Sequence, residues 1–417
     1  MFIGREKELQ SLQEFYNKDG CGMMVIYGRR RIGKSTLITE FIKQKKVIFY
    51  TATKVGKEML LSVLQKYMDT SWKDTNIKII LCGSALSFME NKVLSEKSPL
   101  FGRRDSQIKL EPFDYLDAAK FVPEYCARDK AVCYGITGGV AKYLSMIDPC
   151  KSLDENIVRL FFKTDGYLYD ETRNLLTQEF SDISLVNNII EQIAYGKNTV
   201  NEIATKLGET SPAVLYSLEK LINIGLVQKR KCITEEKNKK KTQYVLKDFM
   251  FKFWYEFIPK ATSVIEIGQG EMYYNKVVKP ELHSFMGAVF EEMCRYYTLK
   301  EGVLEKFGCF ITNVGVWWGT ESITNAEGKK CSQSADIDVV GLSEPEKKVV
   351  LGECKFKNEK IDKKVYETLI RRGNQIKLKY HIEKYVLFSM SGFTEWFDSL
   401  EDNNVVLLTL EDLYQNS

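Results

Sequence analysis

A chain of 417 residues, 44% hydrophobic and 28% charged, exceeds one ordinary domain and predicts two to four globular ones. No apolar run approaches the roughly 20 residues needed to cross a bilayer, and the opening residues Met1 to Glu6 lack the apolar core of a secretion signal, so a cytoplasmic protein without a membrane partner is expected. The net charge of +4 neither demands nor excludes nucleic acid, and ten scattered cysteines without a C-x-x-C pair, beside only His283 and His381, give no zinc cluster and suggest reduced thiols.

Residues 1–125 alternate short apolar runs with helical patterns, as in an α/β sheet. Met23 to Tyr27 reads as a buried strand and Ser35 to Gln44 as the following helix. Val47 to Tyr50 and Ile77 to Cys82 read as further strands, with a helix at Met59 to Met68 between them. Residues 126–180 turn helical, interrupted by Gly138-Gly139.

Residues 181–250 change rhythm. Amphipathic helices are predicted at Leu185 to Ala194, at Thr199 to Leu207 with Thr199 as N-cap, and at Ser211 to Ile224, closed by Gly225. Strands at Leu226 to Lys231 and Thr242 to Leu246 then flank a basic tip, Lys237 to Lys241. This order describes a winged helix-turn-helix. Residues 251–417 begin aromatic, in a stretch Phe249 to Phe257 read as packing, and return to α/β. Helix Phe285 to Tyr297 precedes strands around Phe310 to Thr312, Ile337 to Gly341 and Val349 to Cys354. A helix near 361–377 and a last strand, Tyr385 to Phe388, follow.

The run Gly28-Arg29-Arg30-Arg31-Ile32-Gly33-Lys34-Ser35 joins that first strand to its helix, the context in which G-x-x-x-x-G-K-[ST] cradles phosphates. Backbone amides of the loop, including those of Arg31, Ile32 and Thr36, would meet ATP at the positive end of the helix. Lys34 would reach the β and γ phosphates, and Ser35 would ligate Mg2+. Glycines at 28 and 33 allow the tight turn.

Around this loop the chain resembles the archaeal-type AAA+/STAND ATPases. Phe2 to Leu9 looks like the family's N-terminal box, which lies against adenine. Ile79 to Ser84 is similar to its sensor-1 strand, with Ser84 near the γ-phosphate. Ser98 to Arg104 resembles its Gly-Arg-Arg signature. The resemblance implies a phosphate contact from Arg103 or Arg104, in cis or from a neighbouring subunit, and a solvated basic loop is the other reading. The family's Walker B strand, four apolar residues followed by Asp-Glu, is missing between Tyr50 and Ile77. Glu58 and Asp69 are poor substitutes because neither ends an apolar strand. About one β-α-β passage is missing near Glu58-Met59, which implies either a stretch left out of this sequence or a degenerate ATPase.

In the winged helix, Ser211, Ala213, Tyr216, Ser217 and Lys220 allow groove contact but supply no arginine for base edges. The tip lysines suit phosphates, and internal docking against protein is the alternative.

Asp338 in one apolar run and Glu353-Cys354-Lys355 in the next form a further set. Residues 353 and 355 of a strand share a face, so Glu353 and Lys355 emerge together, and Asp338 can converge with Glu353 on Mg2+ or Mn2+. Lys355 would orient water or stabilise the phosphorane. This resembles the PD-(D/E)xK core of restriction enzymes and junction resolvases, where a helical glutamate, here Glu291 or Glu292, completes the catalytic site. The bland reading is an ion pair in an inactive fold. The expected architecture is therefore multidomain α/β: a P-loop NTPase parallel sheet with a helical lid, a winged helix and a restriction-endonuclease-like C-terminal domain. The expected function is an ATP-binding switch controlling a DNA-associated nuclease-like domain. The alternatives are an ATP-regulated endonuclease, or a non-catalytic protein that binds DNA, a protein partner or itself.

Overall fold

In the computed structural model, residues 2–51, 57–235, 238, 241–324, 330–376 and 380–415 are described. The first sheet has three parallel strands in the order β2-β1-β3: β1 is Gly22–Tyr27, β2 Lys78–Gly83 and β3 Ser106–Lys109. Uninterrupted apolar sequence suits β1, which is buried along its whole length. Alternation then sorts its side chains. Met24 and Ile26 pack with Leu12, Phe15, Leu37 and Phe41 from helices Glu6–Asn17 and Lys34–Ile42. Met23, Val25 and Tyr27 face the other way, toward Leu61 and Met68 of helix Lys57–Thr70 and Trp72 just beyond it.

The strand expected at Val47 to Tyr50 does not form. Ile48 is 96% exposed and Tyr50 72%. A strand needs a ladder partner, and both edges of β1 are taken by β2 and β3. The acidic strand that would stand between Val47–Tyr50 and β2 is the one missing from the sequence. Glu58 and Met59 instead open helix Lys57–Thr70, and residues 52–56 lie outside the described residues. Among the described residues β2 is consequently an edge, half-buried despite its Ile79-Ile80-Leu81 run. Strand β3 was not anticipated, because Ser106-Gln107-Ile108-Lys109 offers one apolar side chain.

Most of the rest of the chain shares one core, while a second cluster with Trp317, Ile337, Leu369 and Leu387 packs within the C-terminal part. The shared core runs from Tyr115 to Leu413 and includes Ile136 and Phe161 of the helical segment, Ile189 and Leu218, Phe253, Phe290 and Phe388. The boundaries read at 180 and 250 fall inside it. We call this whole the body. Its centre is helix Phe249–Glu266, capped by Asp248, with Phe251 and Phe253 fully buried. Three helices, Ser184–Ala194, Val200–Leu207 and Ser211–Asn223, precede the antiparallel pair β4 (Val227–Lys231) and β5 (Thr242–Leu246). Thr199 and Glu202 cap the second helix reciprocally. Tyr216 and Lys220 are exposed on the third helix, whereas Ser217 is buried and cannot reach a groove. Lys237, Lys239 and Lys240 lie outside the described residues, and Lys241 pairs with Glu235 at 2.5 Å.

Helix Lys279–Gly302 leads to a five-stranded sheet, β10-β9-β8-β7-β6, made of Asn313–Thr324 (β6), Lys330–Ser343 (β7), Lys348–Lys355 (β8), His381–Ser389 (β9) and Val405–Thr409 (β10). The first three run antiparallel, and β8, β9 and β10 run parallel, with helix Lys363–Gln375 joining β8 to β9. Strand β10 was also unanticipated. Because one core joins these parts, Phe253→Ala should cost about 4 kcal/mol. Chemical denaturation followed by Trp fluorescence and circular dichroism should show the helical segment, three-helix unit and C-terminal sheet still unfolding in one transition.

Candidate nucleotide loop and carboxylate cluster

β1 turns into the loop at Gly28, where a Cβ would stand 2.4 Å from the Leu110 carbonyl and 2.5 Å from Ile32 Cδ1. Gly33 (φ 92°) starts the following helix, and Arg31 also holds a positive φ of 71°, uncommon for a non-glycine. Lys34 is buried and donates to the carbonyls of Gly28 (2.8 Å) and Arg29 (2.6 Å). Ser35 and Thr36 are exposed in the helix's first turn. Arg5 of the N-terminal box lies over the Phe113 ring at 4.1 Å and donates to the carbonyls of Ile32 and Glu111, which sets the box against the loop. Ser84 shares a narrow gap with Arg29, Arg30, Leu175, Glu179 and Ile224.

Each loop arginine holds a carboxylate from outside the ATPase sheet. Arg29 pairs with Asp248, Arg30 with Glu179 at 2.8 Å, and Arg31 with Glu171. Lys142 of the helical segment adds a backbone bond to the Arg31 carbonyl. Burial works against the Arg29 guanidinium, yet Asp248 and Tyr143 hold its pKa above the usual value. Sequence reasoning missed these carboxylates. Asp248 and Glu179 lie 219 and 149 residues from their partners, and no local pattern marks them.

Arg103 and Arg104 require a correction. They precede β3, whose Ser106 pairs with Met24 and whose Lys109 pairs with Tyr27, so they sit at the sheet end opposite this chain's own loop. Arg103 is engaged with Asp69 at 2.7 Å and Arg104 is exposed.

In the C-terminal sheet Asp338 lies one step beyond the Val339–Gly352 pair, which sets it across from Glu353. Asp338 accepts from the Cys354 amide at 2.9 Å. Lys355 donates to Glu353 Oε1 at 2.5 Å, while Glu353 Oε2 is buried without a hydrogen-bond partner and Arg372 stands 3.9 Å from it. Burial, then the charges of Glu353 and Glu291, push the Asp338 carboxyl well above the usual range. On helix Lys279–Gly302, Arg295 holds Glu291 (3.4 Å), Glu292 (3.0 Å) and the Asp338 carbonyl (2.8 Å). Thus Asp338, Glu353 and Lys355 come together, and Glu291 stands beside them. Among the described residues no three His, Cys, Asp or Glu side chains are grouped to hold a metal ion.

Residues 2–55 match a family described as an ATPase domain predominantly from Archaea. An uncharacterized ATP-binding protein of Methanocaldococcus jannaschii is 40% identical over 47 residues, 11% of this chain and 80% of that protein. The chain belongs to the archaeal-type ATPases. An uncharacterized protein of the same organism is 26% identical to this archaeal-type ATPase over 462 aligned positions, covering 99% of the chain and all of the relative. Those positions exceed the chain's 417 residues, so at least 45 of them, the difference, face no residue here. Residues 254–369 of the ATPase match a family described as archaea bacterial proteins of unknown function. A signal transduction ATPase with numerous domains and a tetratricopeptide repeat sensor, from Pyrococcus horikoshii, shows a TM-score of only 0.24. It is 14% identical and matches 74% of this chain, which spans about half (51%) of that protein.

Within the ATPase loop, burial lowers Lys34 to about 8, with Cys82 opposing the shift and Arg30 adding to it. Burying this ammonium costs stability below about pH 8, and the cost disappears as pH rises toward the ordinary value of 10.5. A bound triphosphate keeps the lysine charged, whereas the free protein loses that charge above about pH 8. ATP affinity should therefore fall from about pH 8 upward. Lys34→Met should flatten the slope, as checked by calorimetric titration across that range.

Proposed function

We propose that this ATPase is a nucleotide-dependent switch in which triphosphate binding at Gly28–Ser35 competes with carboxylates of the body for the loop arginines. The carrying observation is that Arg29, Arg30 and Arg31 each pair with a carboxylate outside the ATPase sheet. Arg29–Asp248 is fully enclosed and holds the two parts together. Arg30 is the most exposed of the three and can exchange Glu179 for phosphate oxygens, whereas Arg31 ends on the buried Glu171 and would offer a phosphate only its free guanidinium edge. Gly28, Ile32, Gly33, Lys34 and Thr36 would line the phosphates, with Ser84 toward the γ position. Ser35 suits Mg2+, since its hydroxyl is exposed at the helix start. Hydrolysis has weaker support: the acidic strand is missing, and the carboxylate near Lys34 is Glu179, from a helix of the body.

The body would carry the output. Three helices followed by β4 and β5 support a winged-helix reading, and the order helix, three antiparallel strands, helix, two parallel strands supports a nuclease-like one. DNA is the partner such parts suit. A second reading, a metal-dependent nuclease, is favoured by the orphaned Glu353 Oε2 beside the raised Asp338. Two carboxylates that repel each other accommodate a divalent ion, with water or phosphate oxygens completing its shell. When bound, the metal would polarise a phosphodiester, and Lys355 would balance charge on the attacked phosphate.

Fluorescent-ATP titration tests the switch. Lys34→Ala should weaken binding by at least about tenfold, and Glu179→Gln should tighten it a few-fold by freeing Arg30. Unchanged affinity in both variants would remove the proposal. For the second reading, single-stranded, branched and plasmid DNA should be cut with Mg2+ or Mn2+, and Asp338→Ala or Lys355→Ala should abolish the cutting. Cleavage that survives both substitutions rejects this active site.

A further inference from the structure

A cavity of about 270 Å³ lies between the three-helix unit with its β4–β5 hairpin and helix Lys279–Gly302, with no residue of Gly28–Ser35 in its lining. Its charged lining is Arg230, Lys252, Arg295, Glu291 and Glu292. Arg295 is committed to the two glutamates. Arg230 and Lys252 are not: among the described residues neither has an ion-pair partner within 4.0 Å. Among the described residues Arg230 donates to the neutral Gln243 amide oxygen (2.9 Å) and stands 5.9 Å from the Trp318 ring centre. Lys252 lies 5.7 Å from the Phe285 ring centre.

Three cations and two carboxylates line this partly enclosed space, and Glu256, one helical turn on from Lys252, adds a third carboxylate near it. Removing an uncompensated charge from water is costly, and both groups show it, since burial lowers the pKa of Arg230 and of Lys252. Two cations at an open cavity, with no ion-pair partner within 4.0 Å among the described residues, are what a bound anion would neutralise. The planar fork of Arg230 and the point charge of Lys252 suit the oxygens of a tetrahedral anion. The volume leaves room for a phosphate with an attached sugar. Glu291 belongs both to this lining and to the surroundings of Asp338, so the cavity adjoins the carboxylate cluster.

We propose that this cavity is an anion site for a phosphate ester, held by Arg230 and Lys252. Beside the carboxylate cluster, the ester would be a phosphate of a nucleic-acid strand flanking the position at Asp338 and Glu353, or that of a free nucleotide. The neighbourhood rests on the nuclease-like reading, but the anion site does not.

The test uses the full chain carrying Lys34→Ala, which weakens the loop, and reads the site by what the double variant removes. Calorimetry and thermal shift are run with inorganic phosphate, AMP and a 5′-phosphorylated tetrathymidylate. At least one probe should bind and raise Tm, and the double variant Arg230→Gln, Lys252→Met should lose about tenfold or more in affinity. Arg230→Lys should retain most of it. In phosphate-free buffer Lys252→Met alone should raise Tm, because it removes a buried unpaired charge. A preference for the oligonucleotide assigns the strand, and a preference for AMP the free nucleotide. Failure of all three probes to bind, or equal binding by the double variant, overturns the proposal. DNA cleavage assays report separately on the nuclease-like reading, since phosphate binding without cutting would sink that reading and leave this site standing.

Discussion

The structure turns on the ion pair between Arg29, inside the phosphate loop, and Asp248, the residue that caps the central helix of the body. Both side chains are enclosed, and removing one partner of such a pair costs about 3–5 kcal/mol because the other charge is left without water. Asp248 has two tasks. One oxygen accepts the Met250 and Phe251 amides to start helix Phe249–Glu266, and the other takes the arginine. The start of the body's main helix and the conformation of the nucleotide loop are therefore one electrostatic arrangement.

Around that fixed point the contact between ATPase sheet and body is graded. Arg29 is sealed, Arg31 is partly open, and Arg30 is the most exposed of the three. Exposed pairs in water contribute about 0–1 kcal/mol, so Arg30–Glu179 exchanges partners readily, whereas the pairs that end on the buried carboxylates Asp248 and Glu171 do not. This gradient lets one loop be anchored and responsive at once.

Much of this was legible from residue pattern. The glycine spacing and Lys34-Ser35 located the loop between β1 and its helix, and Thr199 with Glu202 located a helix start. The E-x-K spacing with Asp338 identified two strands and the side chains that meet on them. What escaped depended on distant partners. Val47 to Tyr50 has strand composition, but strand formation requires a neighbour that this sequence lacks. β3 and β10 are short, and they are strands only because β1 and β9 stand beside them. Arg103 and Arg104 do not reach this chain's own phosphates, because the direction of β3 sets them at the far end of the sheet, which leaves the expectation of a contact to a neighbouring subunit's loop as it was. Glu171, Glu179 and Asp248 could be found only by folding the chain.

The continuous core from Tyr115 to Leu413 has a mechanical consequence. A soft linker between helical segment, three-helix unit and C-terminal sheet would dissipate any motion that begins at the phosphate loop. Close-packed side chains do not compress, so these parts turn as a single lever. Glu171 and Glu179 meet the loop at one part of it, and Asp338 and Glu353 lie at another. A displacement at the loop would be passed on to the carboxylate cluster through packed side chains instead of being absorbed on the way.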